Sequence, residues 1–575
     1  MGNKINMGTI FINNKVEDLI SFDAIVVGSG ISGGWAAKEL SELGLKTLLL
    51  ERGKNVEHIQ DYPTALQNPW DFKTRLEIDL CSKNENPIQS QVYDEGSKHF
   101  YVNDSEHPYI QEKPFNWIRG YQVGGRSLTW GRQVYRLSNL DFTANLIDGH
   151  GIDWPIRYKD IEPWYDYVER FIGVSGRAEG LAHLPDSHFL PPMEMNCIEE
   201  FFSESIKKKY SDRIVTNGRV ANLTRGWKDR GPCQNRNLCN RGCPFGGYFS
   251  SNSATLPAAF ASGNLSLRPH SIVSEIIYDT NSGKAKGVRV IDEKTNEVME
   301  FKAKIVFLNA STIGTASILL NSTSSTFSNG FGNSSGQIGL NLMDHHKSCG
   351  AMGEHDGFKD KYYQGRRPTG IYIPRFRNID AATKHPDFVR GYNYQADGER
   401  SEWRDMMKKA EGFGIDFKKQ LTEPGPWTMW MGAWGECLPN SDNKIVLSDN
   451  EKDKWGLPLV QISFEFGTNE KAMRNDAVNT AAEMLENSGF KNINSFDYNP
   501  PGGTTVHEMG TARMGNDSKT SVLNKNNQMH DVKNVFITDG SCMTSGGCQN
   551  PSLTYMALTA RACHFAASEL KKGNL

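Results

Sequence analysis

The sequence lacks a long apolar segment. None of its apolar runs reaches the roughly 18 residues that a membrane-spanning helix requires. The first twenty residues, MGNKINMGTIFINNKVEDLI, contain no apolar stretch followed by a small-residue cleavage site, so no secretory signal peptide is predicted. Taken alone, this favours the cytoplasm, but a chain exported while bound to a signal-bearing partner would have the same N-terminus.

The sequence also lacks an excess of positive charge and a high cysteine content. Its 64 Lys and Arg residues against 67 Asp and Glu residues give a net charge of -3, so nucleic acid is not expected as a partner. Ten cysteines in 575 residues are too few for a disulfide scaffold, and no HExxH or similar zinc motif occurs. The length predicts two or more domains.

One segment near the N-terminus has the pattern of a dinucleotide-binding unit. In residues 22–53 an apolar run enters a Gly28-x-Gly30-x-x-Gly33 turn, an alanine-rich helix follows, and a second apolar run ends on Glu51. The three glycines permit a tight turn, the approach of a pyrophosphate to the backbone, and close packing of helix on strand. Glu51 can accept a ribose hydroxyl. The sequence therefore predicts binding of an adenine dinucleotide.

Beyond this unit, further segments predict a return to the same sheet. A second glycine-rich segment, RGYQVGGRSLTWGRQVYR, spans residues 119–136, and residues 154–171 have a helical pattern. Three short apolar runs between residues 265 and 290, LSLRP, IVSEIIYD and GKAKGVRV, predict a β-meander. Residues 305–322 repeat the strand, turn and helix order of the N-terminus.

Residues 346–500 have a different pattern, with alternating strands and a helix over 470–487. The chain then ends with a buried strand at 534–540 and a helix at 552–570. The nucleotide-binding domain is therefore predicted to be discontinuous, with a sheet-based second domain interleaved with it.

Three cysteines are concentrated in one glycine-rich loop, residues 231–247, with the spacing Cys233-x5-Cys239-x3-Cys243-Pro244. Short spacings between thiolates followed by Pro are typical of iron–sulfur ligation, and three sulfurs suit a [3Fe–4S] cluster. A structural zinc site would need a fourth ligand, and none is near in sequence. Three alternatives stay open: a structural zinc site, three free thiols, and a [4Fe–4S] cluster that recruits Cys197 or Cys437.

The dinucleotide unit, residues 119–136, and the C-terminal segments HEMGTARMG (507–515) and DGSCMTSGGCQNPSLT (539–554) together resemble the glucose–methanol–choline (GMC) oxidoreductases, flavoproteins that oxidise alcohols. The segment SGQIGLNLMDH (335–345) is similar to the branch that holds the catalytic subunits of bacterial glucose, fructose, gluconate and glucoside 3-dehydrogenases. One departure is that Thr315 is followed by Ala316, where the family signature usually has Pro.

The resemblance implies an α/β fold with a discontinuous, Rossmann-like FAD-binding domain. Interleaved with it is an α+β substrate-binding domain built on an antiparallel sheet. The first domain would comprise residues 18–60, 115–145, 225–345 and 500–575, including the cysteine loop. The second would comprise residues 61–114, 146–224 and 346–499.

The resemblance also implies FAD as the cofactor and assigns its contacts by motif. The ADP half would contact Gly28, Gly30, Gly33, Glu51 and Arg52, and Val273 would lie close to the adenine. The isoalloxazine and pyrophosphate would contact Gly124, Gly125, Ser127, Trp130 and Gly131. Asp539 and Gly540 would lie at the ribityl end, and Pro551 and Thr554 close to the ring.

His507 and Asn550 match the family's catalytic positions. Oxidising an alcohol by hydride transfer requires the O–H proton to leave, and a neutral imidazole with a pKa near 6.5 suits that role. Asn550 would hold the substrate oxygen by a hydrogen bond. The neighbouring pair His345 and His346 is expected to be structural, because nothing at metal-ligand spacing accompanies it.

These features predict a dehydrogenase that acts on a sugar hydroxyl and exports electrons through the cysteine loop. Oxidation at C3 of a glucoside is favoured, C1 of an aldose is the near alternative, and gluconate is disfavoured because no basic cluster is evident. On the strand PWTMWMGAWGE, Trp430, Gly432, Trp434 and Glu436 share one face, which makes Glu436 a candidate substrate contact. The alternative is a strand whose tryptophans pack in the core.

Two competing functions are an oxygen-using alcohol oxidase of the same family with an empty cysteine loop, and a lyase-type flavoprotein without net redox turnover. Relatives of the dehydrogenase branch work with a small subunit that carries the export signal, and often with a cytochrome. The resemblance therefore implies that the protein is exported together with such a subunit and acts in the periplasm, or that it stays in the cytoplasm if no such partner exists.

Overall fold

The computed structural model describes residues 21–363, 365, 367–400, 406–407, 410–422 and 424–575 of the chain. The N-terminal segment assessed for a signal peptide, and residues 18–20 of the expected FAD-binding domain, lie outside the described residues. Within the described ranges, no helix combines the length and apolar character needed to cross a membrane.

The described residues form sixteen strands and ten α-helices. The strands are β1 Ser21–Val27, β2 Thr47–Leu50, β3 Ile110–Gln111, β4 Thr216–Asn217, β5 Leu265–Arg268, β6 Ser271–Asp279, β7 Lys284–Asp292, β8 Val298–Leu308, β9 Cys349–His355, β10 Ile371–Ile373, β11 Tyr392–Arg400, β12 Trp427–Gly435, β13 Lys444–Lys452, β14 Pro458–Ser463, β15 Lys491–Asp497 and β16 Val535–Ile537. The helices are α1 Ile31–Glu42, α2 Leu80–Glu85, α3 Asn139–Asp148, α4 Tyr158–Ile172, α5 Cys197–Lys209, α6 Leu256–Ala261, α7 Thr312–Asn321, α8 Gly414–Thr422, α9 Thr468–Asn487 and α10 Ser552–Lys571.

The largest sheet has seven strands in the order β5-β2-β1-β8-β7-β6, with β16 paired to β8. Its centre is parallel, because β1 pairs in parallel with both β2 and β8. Residues 24–27, 47–50 and 305–308 of these strands are buried and almost wholly apolar, as expected for strand segments that are covered on both faces. Helices α1 and α10 pack over one face through small residues, among them Ala36, Ala37 and Ala566.

The meander expected from three apolar runs is wrong in its first strand. Strand β5 pairs in parallel with β2 and extends the parallel part of the sheet. The antiparallel part is formed instead by β6, β7 and β8. Strand β8 is eleven residues long, so it pairs with β7 through its first half and with β1 through its second half. This double role could not be seen in the local pattern.

A second sheet has six strands in the order β15-β9-β12-β11-β10-β4, and each neighbouring pair in this order is antiparallel. Helix α9 covers it through Met473, Ala477 and Met484, which are buried in one apolar cluster with the strands. A third, three-stranded sheet joins β13, β14 and β3.

The strands of the seven-stranded sheet all fall within the ranges expected for the FAD-binding domain. Those of the six-stranded sheet fall within the ranges expected for the substrate-binding domain. The boundaries between the domains stay a prediction. The carboxyl ends of β1, β2, β8 and β16 lie along one edge, and ligands of such sheets bind at that edge.

Candidate active site

A cavity of about 620 Å³ lies at this edge of the large sheet. One wall consists of the segments that follow the parallel strands, including Gly28, Glu51 and Asp539. The opposite wall includes Gln395 of β11 and Trp434 of β12, from the second sheet. The two sheets therefore enclose one elongated site.

The first glycine turn has the backbone geometry that its sequence predicts. Gly28 has φ +90, and a Cβ there would overlap the Asn309 carbonyl. A Cβ on Gly33 would overlap the Gly28 carbonyl, so α1 packs directly on the turn. Gly30 differs, because a Cβ there would meet no atom within 4 Å and would point into open space at the cavity wall. This turn thus leaves room for a ligand group at Gly30.

The second glycine segment packs against the first. The Gly124 amide donates to Ser29 Oγ at 2.9 Å, and a Cβ on Gly125 would lie 3.2 Å from the Gly30 Cα. Both glycines have positive φ, +92 and +48. Gly131 also lines the cavity and has nothing within 4 Å of its Cβ position. The two turns form one continuous floor.

Glu51 fixes the first turn and the end of β2. Its carboxylate accepts hydrogen bonds from the Ser29 amide (3.0 Å), the Ser29 hydroxyl (2.5 Å) and the Gly53 amide (3.0 Å). Burial raises the pKa of this carboxyl, and the donated hydrogen bonds oppose the rise.

Arg52 closes the same end of the cavity. Its guanidinium lies 4.6 Å from the Tyr121 ring centre and 5.0 Å from that of Trp455, and it is 3.6 Å from Asp453. Asp453 and Trp455 belong to the hairpin between β13 and β14, so the third sheet contributes to this wall. Nothing in the sequence analysis linked that hairpin to the cofactor segments.

Asp539 is held at the end of β16. It accepts from the Ser541 amide at 3.0 Å and from the Thr315 hydroxyl at 2.6 Å. Thr315 itself accepts from the Ala310 amide at 3.1 Å. The departure at Ala316 thus leaves the polar contact of the preceding Thr315 in place.

Most residues assigned to the cofactor line the cavity. They are Gly28, Gly30, Glu51, Arg52, Gly125, Ser127, Trp130, Gly131, Val273, Asp539, Gly540 and Pro551, and His507 and Asn550 join them. Gly33, Gly124 and Thr554 do not line it. Gly33 and Gly124 support the turns, and the Thr554 hydroxyl hydrogen-bonds Tyr165 OH at 2.8 Å in the core.

The turn before His507 is fixed by a buried carboxylate. Asp344 accepts from the Gly503 amide at 2.8 Å, from the His507 amide at 3.2 Å and from the Thr505 hydroxyl. Burial, together with the nearby Glu508, raises the pKa of Asp344 to about 6. Val506 has φ +58, a conformation that β-branched residues rarely adopt. The turn therefore holds the His507 ring in a specific place.

His345 determines which nitrogen of His507 carries the proton. His345 Nε2 lies 2.8 Å from the Gly547 carbonyl, which can only accept, so the proton of neutral His345 is on Nε2. His345 Nδ1 is then an acceptor, and it lies 2.9 Å from His507 Nδ1. His507 must therefore donate from Nδ1, which leaves Nε2 with a free lone pair.

Asn550 meets that lone pair. Its Nδ2 lies 3.4 Å from His507 Nε2, and its Oδ1 accepts from Gln395 Nε2 at 2.9 Å. Both His507 and Asn550 are half-buried and face the cavity. A hydroxyl placed between them could give its proton to His507 and accept a hydrogen bond from Asn550.

Electrostatics keep both imidazoles neutral. Burial lowers the pKa of His345 to about 4. Burial also lowers the pKa of His507 well below its ordinary value, and His345, Lys347 and Arg126 add to the effect. Arg126 forms a two-pronged ion pair with Glu508, at 2.7 and 3.2 Å, on the cavity wall. His507 is therefore ready to accept a proton at neutral pH.

Comparison with known proteins identifies the family. Two family models, both described as GMC oxidoreductase, match residues 22–347 and residues 439–559. The chain belongs to the GMC oxidoreductases. It is therefore an oxidoreductase that acts on the hydroxyl groups of alcohols or sugars.

Relatives of this GMC oxidoreductase include dehydrogenases. It is 28% identical to a 2-methyl-1,2-propanediol dehydrogenase of Mycolicibacterium austroafricanum, over 94% of both chains. It is 24% identical to a fructose dehydrogenase large subunit of Gluconobacter japonicus, over 97% of this chain and all of that one. Its fold matches a formate oxidase of Aspergillus oryzae, with a TM-score of 0.60 and 14% identity over 96% of this chain and 99% of that one. The predicted family and α/β fold class are confirmed.

GMC oxidoreductases bind FAD, and the residues on the cavity wall fit that cofactor. The open Cβ positions at Gly30 and Gly131 are places where a ligand can approach the backbone. Glu51 lies at the carboxyl end of β2, where an acidic residue meets a ribose in dinucleotide sites.

The structure places His345 and His346 in different surroundings. His345 contacts the His507 ring directly but does not line the cavity, so its expected structural role stays a prediction. His346 is buried against Gly435 of β12 and does not line the cavity. The sequence signal for His345 lay in the segment 335–345, which already resembled the family.

Glu436 lies away from the cavity. Its Oε1 accepts from Arg390 Nη1 at 2.8 Å, and the side chain is 1% exposed. Of the two tryptophans expected on its face, Trp434 lines the cavity and Trp430 stacks on Phe496. The alternation of residues identified a strand that does contribute to the cavity. The strand ends at Gly435, so Glu436 no longer follows the alternation.

The cysteine loop lies behind the wall formed by the second glycine segment. Trp130 Nε1 donates to the Phe249 carbonyl at 2.9 Å, and Tyr248 OH donates to the Leu128 carbonyl at 2.6 Å. Cys239 and Cys243 pack against the same core cluster as these aromatic residues. The loop is therefore adjacent to the cavity.

Two backbone amides in this region point at sulfur. The Asn235 amide lies 3.4 Å from Cys233 Sγ, and the Gly247 amide lies 3.3 Å from Cys243 Sγ. Burial raises the pKa of Cys233 and of Cys243, and the neighbouring thiols raise both further. Among the described residues, however, no group of three or more His, Cys, Asp or Glu side chains is gathered to hold a metal ion.

Proposed function

We propose that this GMC oxidoreductase is an FAD-dependent dehydrogenase that oxidises a sugar hydroxyl and passes the electrons to an acceptor other than oxygen. The observation that carries the proposal is the pairing of His507 Nε2 with Asn550 Nδ2 on the cavity wall, 3.4 Å apart. A lone pair and a donor next to each other on the cavity wall suit a hydroxyl that is about to lose its proton.

The chain supplies the proton chemistry of this reaction. FAD, when bound, supplies the acceptor for the hydride that leaves the carbinol carbon. His507 takes the hydroxyl proton at Nε2, and its Nδ1 proton stays in the hydrogen bond to His345. Asn550 donates to the substrate oxygen and so holds the carbinol in place. Positioning of this kind can supply a large part of the rate acceleration.

The wall around the pair suits a polyhydroxylated substrate. Trp434 offers an indole face for the C–H face of a sugar ring. A glucoside oxidised at C3 is the first candidate and an aldose oxidised at C1 the second. Because Arg132 and Lys347 also line the cavity, gluconate belongs in the test set.

Export of electrons through Cys233, Cys239 and Cys243 is part of the proposal. A [3Fe–4S] cluster there would pass electrons onward one at a time. Its support is the three-thiol spacing, the two amides that point at sulfur, and the position of the loop behind Trp130. A small partner subunit that carries an export signal, an acceptor such as a cytochrome, and a periplasmic location complete the proposal.

The second candidate is an oxygen-using oxidase with the same His507 and Asn550 chemistry. The observation in its favour is that the thiols in the described structure are not gathered into a metal-ligand group. A flavin that reacts with oxygen directly needs no such group.

One experiment separates these candidates. Methyl glucoside, glucose and gluconate are added anaerobically to the flavin-loaded protein, and the product is analysed by NMR after turnover with a dye acceptor. The proposal expects bleaching of the flavin, a keto group at C3 or C1, and an iron–sulfur EPR signal in the oxidised protein. Hydrogen peroxide formed in step with the product in air, without an EPR signal, would establish the oxidase instead.

A further inference from the structure

We propose that Gln395 is a positioning residue that turns the Asn550 amide so that its N–H, and not its carbonyl oxygen, faces the substrate. The inference rests on the proposed role of Asn550 as the donor to the substrate oxygen. It concerns a chain of hydrogen bonds, the amide chain, formed by Tyr135, Gln133, Gln395 and Asn550.

The amide chain begins at the Tyr135 hydroxyl. That hydroxyl donates to Gln133 Oε1. The oxygen of the Gln133 amide is thereby directed towards Tyr135, and its nitrogen towards β11.

The same direction continues along the chain. Gln133 Nε2 donates to Gln395 Oε1 at 3.0 Å, and Gln395 Nε2 donates to Asn550 Oδ1 at 2.9 Å. Each amide accepts on one side and donates on the other, so the orientation set at Tyr135 is passed on without a break. Asn550 is left with Nδ2 towards His507.

The hydrogen bonds on the His507 side of Asn550 require the same orientation of its amide. His345 donates to the Gly547 carbonyl, and His507 donates to His345, which leaves the His507 Nε2 lone pair facing Asn550 Nδ2. The two ends are anchored independently, by a hydroxyl and by a carbonyl, and they agree where they meet. A reversed Asn550 would place Oδ1 against that lone pair.

The surroundings hold Gln395 in place. On β11 it lies opposite Tyr372 of β10 and Gly432 of β12, and it is 9% exposed. The Tyr372 ring stacks on Tyr135 with ring centres 3.9 Å apart. A buried amide that loses a hydrogen-bond partner carries a free-energy penalty, so the intact amide chain is strongly favoured over one with a missing hydrogen bond.

The orientation matters for the chemistry. With its N–H towards the cavity, Asn550 stabilises negative charge that develops on the substrate oxygen. With its carbonyl towards the cavity, it would compete with His507 for the hydroxyl proton. Gln395 therefore acts through Asn550 without needing to touch the reacting atoms.

The test compares the loss of kcat in two variants of Gln395, because the proposal predicts which of the two loses more. In Gln395→Glu the carboxylate fills the same space but can only accept, so Asn550 should turn its N–H towards it. In Gln395→Leu the amide chain is cut without a new acceptor, so Asn550 should sample both orientations. We expect kcat to fall about tenfold to a hundredfold in Gln395→Glu and less in Gln395→Leu, with KM changed little. Gln528→Glu, at a buried glutamine away from the cavity, is the matched control.

A second readout needs no substrate. In flavin-loaded protein labelled with ¹⁵N-histidine, the His507 Nε2 resonance should be that of an unprotonated nitrogen. It should shift in Gln395→Glu but not in Gln528→Glu. A greater loss of kcat in Gln395→Leu than in Gln395→Glu would indicate ordinary packing and overturn the proposal, and so would an unchanged resonance.

If Gln395→Glu does not bind flavin, the same resonance is compared between the wild type and Gln395→Leu. A shift supports the proposal, and identity contradicts it. Because the resonance is measured without substrate, it decides the role of Gln395 even if no sugar reduces the flavin and the proposed function fails.

Discussion

The Nδ1 atoms of His345 and His507 lie 2.9 Å apart, and this contact leaves His507 with its lone pair on the cavity side. The contact places a proton acceptor behind the His507 ring, on the side away from Asn550. It does so with a residue that is itself held neutral by burial and anchored to the Gly547 carbonyl.

A first prediction concerns replacement of His345. His345→Leu removes the acceptor for His507 Nδ1, so the ring can carry its proton on either nitrogen, and kcat should fall about tenfold or more. His345→Gln can accept from His507 and donate to Gly547, so it should restore much of the rate. Stopped-flow flavin reduction measures both. Equal losses in the two variants, with flavin content unchanged, would contradict the role given to His345.

A second prediction concerns the pH dependence of kcat/KM. His507 must be neutral to act, and its lowered pKa keeps it neutral as the pH falls through 6.5. The first acid limb should instead lie near 6, where Asp344 gains a proton and its hold on the His507 amide weakens. In Asp344→Asn the profile should be lower but flat through 6, and should decline only in more acid solution. An acid limb near 6.5 in this variant would instead show that His507 titrates with an ordinary pKa and would contradict the prediction.

The overall architecture and most of the cofactor wall follow from the sequence. Three signals in the sequence are local: the glycine spacing, the acid at the end of β2, and the strand before Asp539. Each can be recognised because the residues that form it are neighbours in the chain. The path of β5 was not predictable, since its partner β2 lies more than 200 residues away. Gln395 and Asp453 reach the cavity from the second and third sheets, where no local pattern marks them.

A third prediction separates the two kinds of glycine in the first turn. Gly30 has φ -63, which alanine adopts without strain, and its Cβ would project into the cavity. Gly30→Ala should therefore fold normally and lose most of its flavin. Gly28 has φ +90 and no space for a Cβ, so Gly28→Ala should lower the melting temperature or prevent folding. Flavin-to-protein ratio and thermal unfolding measure the two effects. Full flavin content in Gly30→Ala would remove this turn from the binding site.

A fourth prediction tests the cysteine loop. Cys243→Ser should abolish the iron–sulfur EPR signal and slow turnover with a one-electron acceptor, while anaerobic flavin reduction by substrate keeps its rate. Cys81→Ser, an exposed cysteine in another segment, is the control and should change neither property. If purified wild-type protein contains no iron and turns over normally with an artificial acceptor, the loop does not conduct electrons.

The most direct test of the account is anaerobic flavin reduction in the wild type and in His507→Ala. Removal of a general base typically lowers the rate about 10² to 10⁴-fold, so the variant should bind flavin fully and be reduced by sugar at least a hundredfold more slowly. His530→Ala, at a histidine that does not line the cavity, should match the wild type. Reduction of His507→Ala at the wild-type rate would show that the proton leaves by another route and would contradict the central claim.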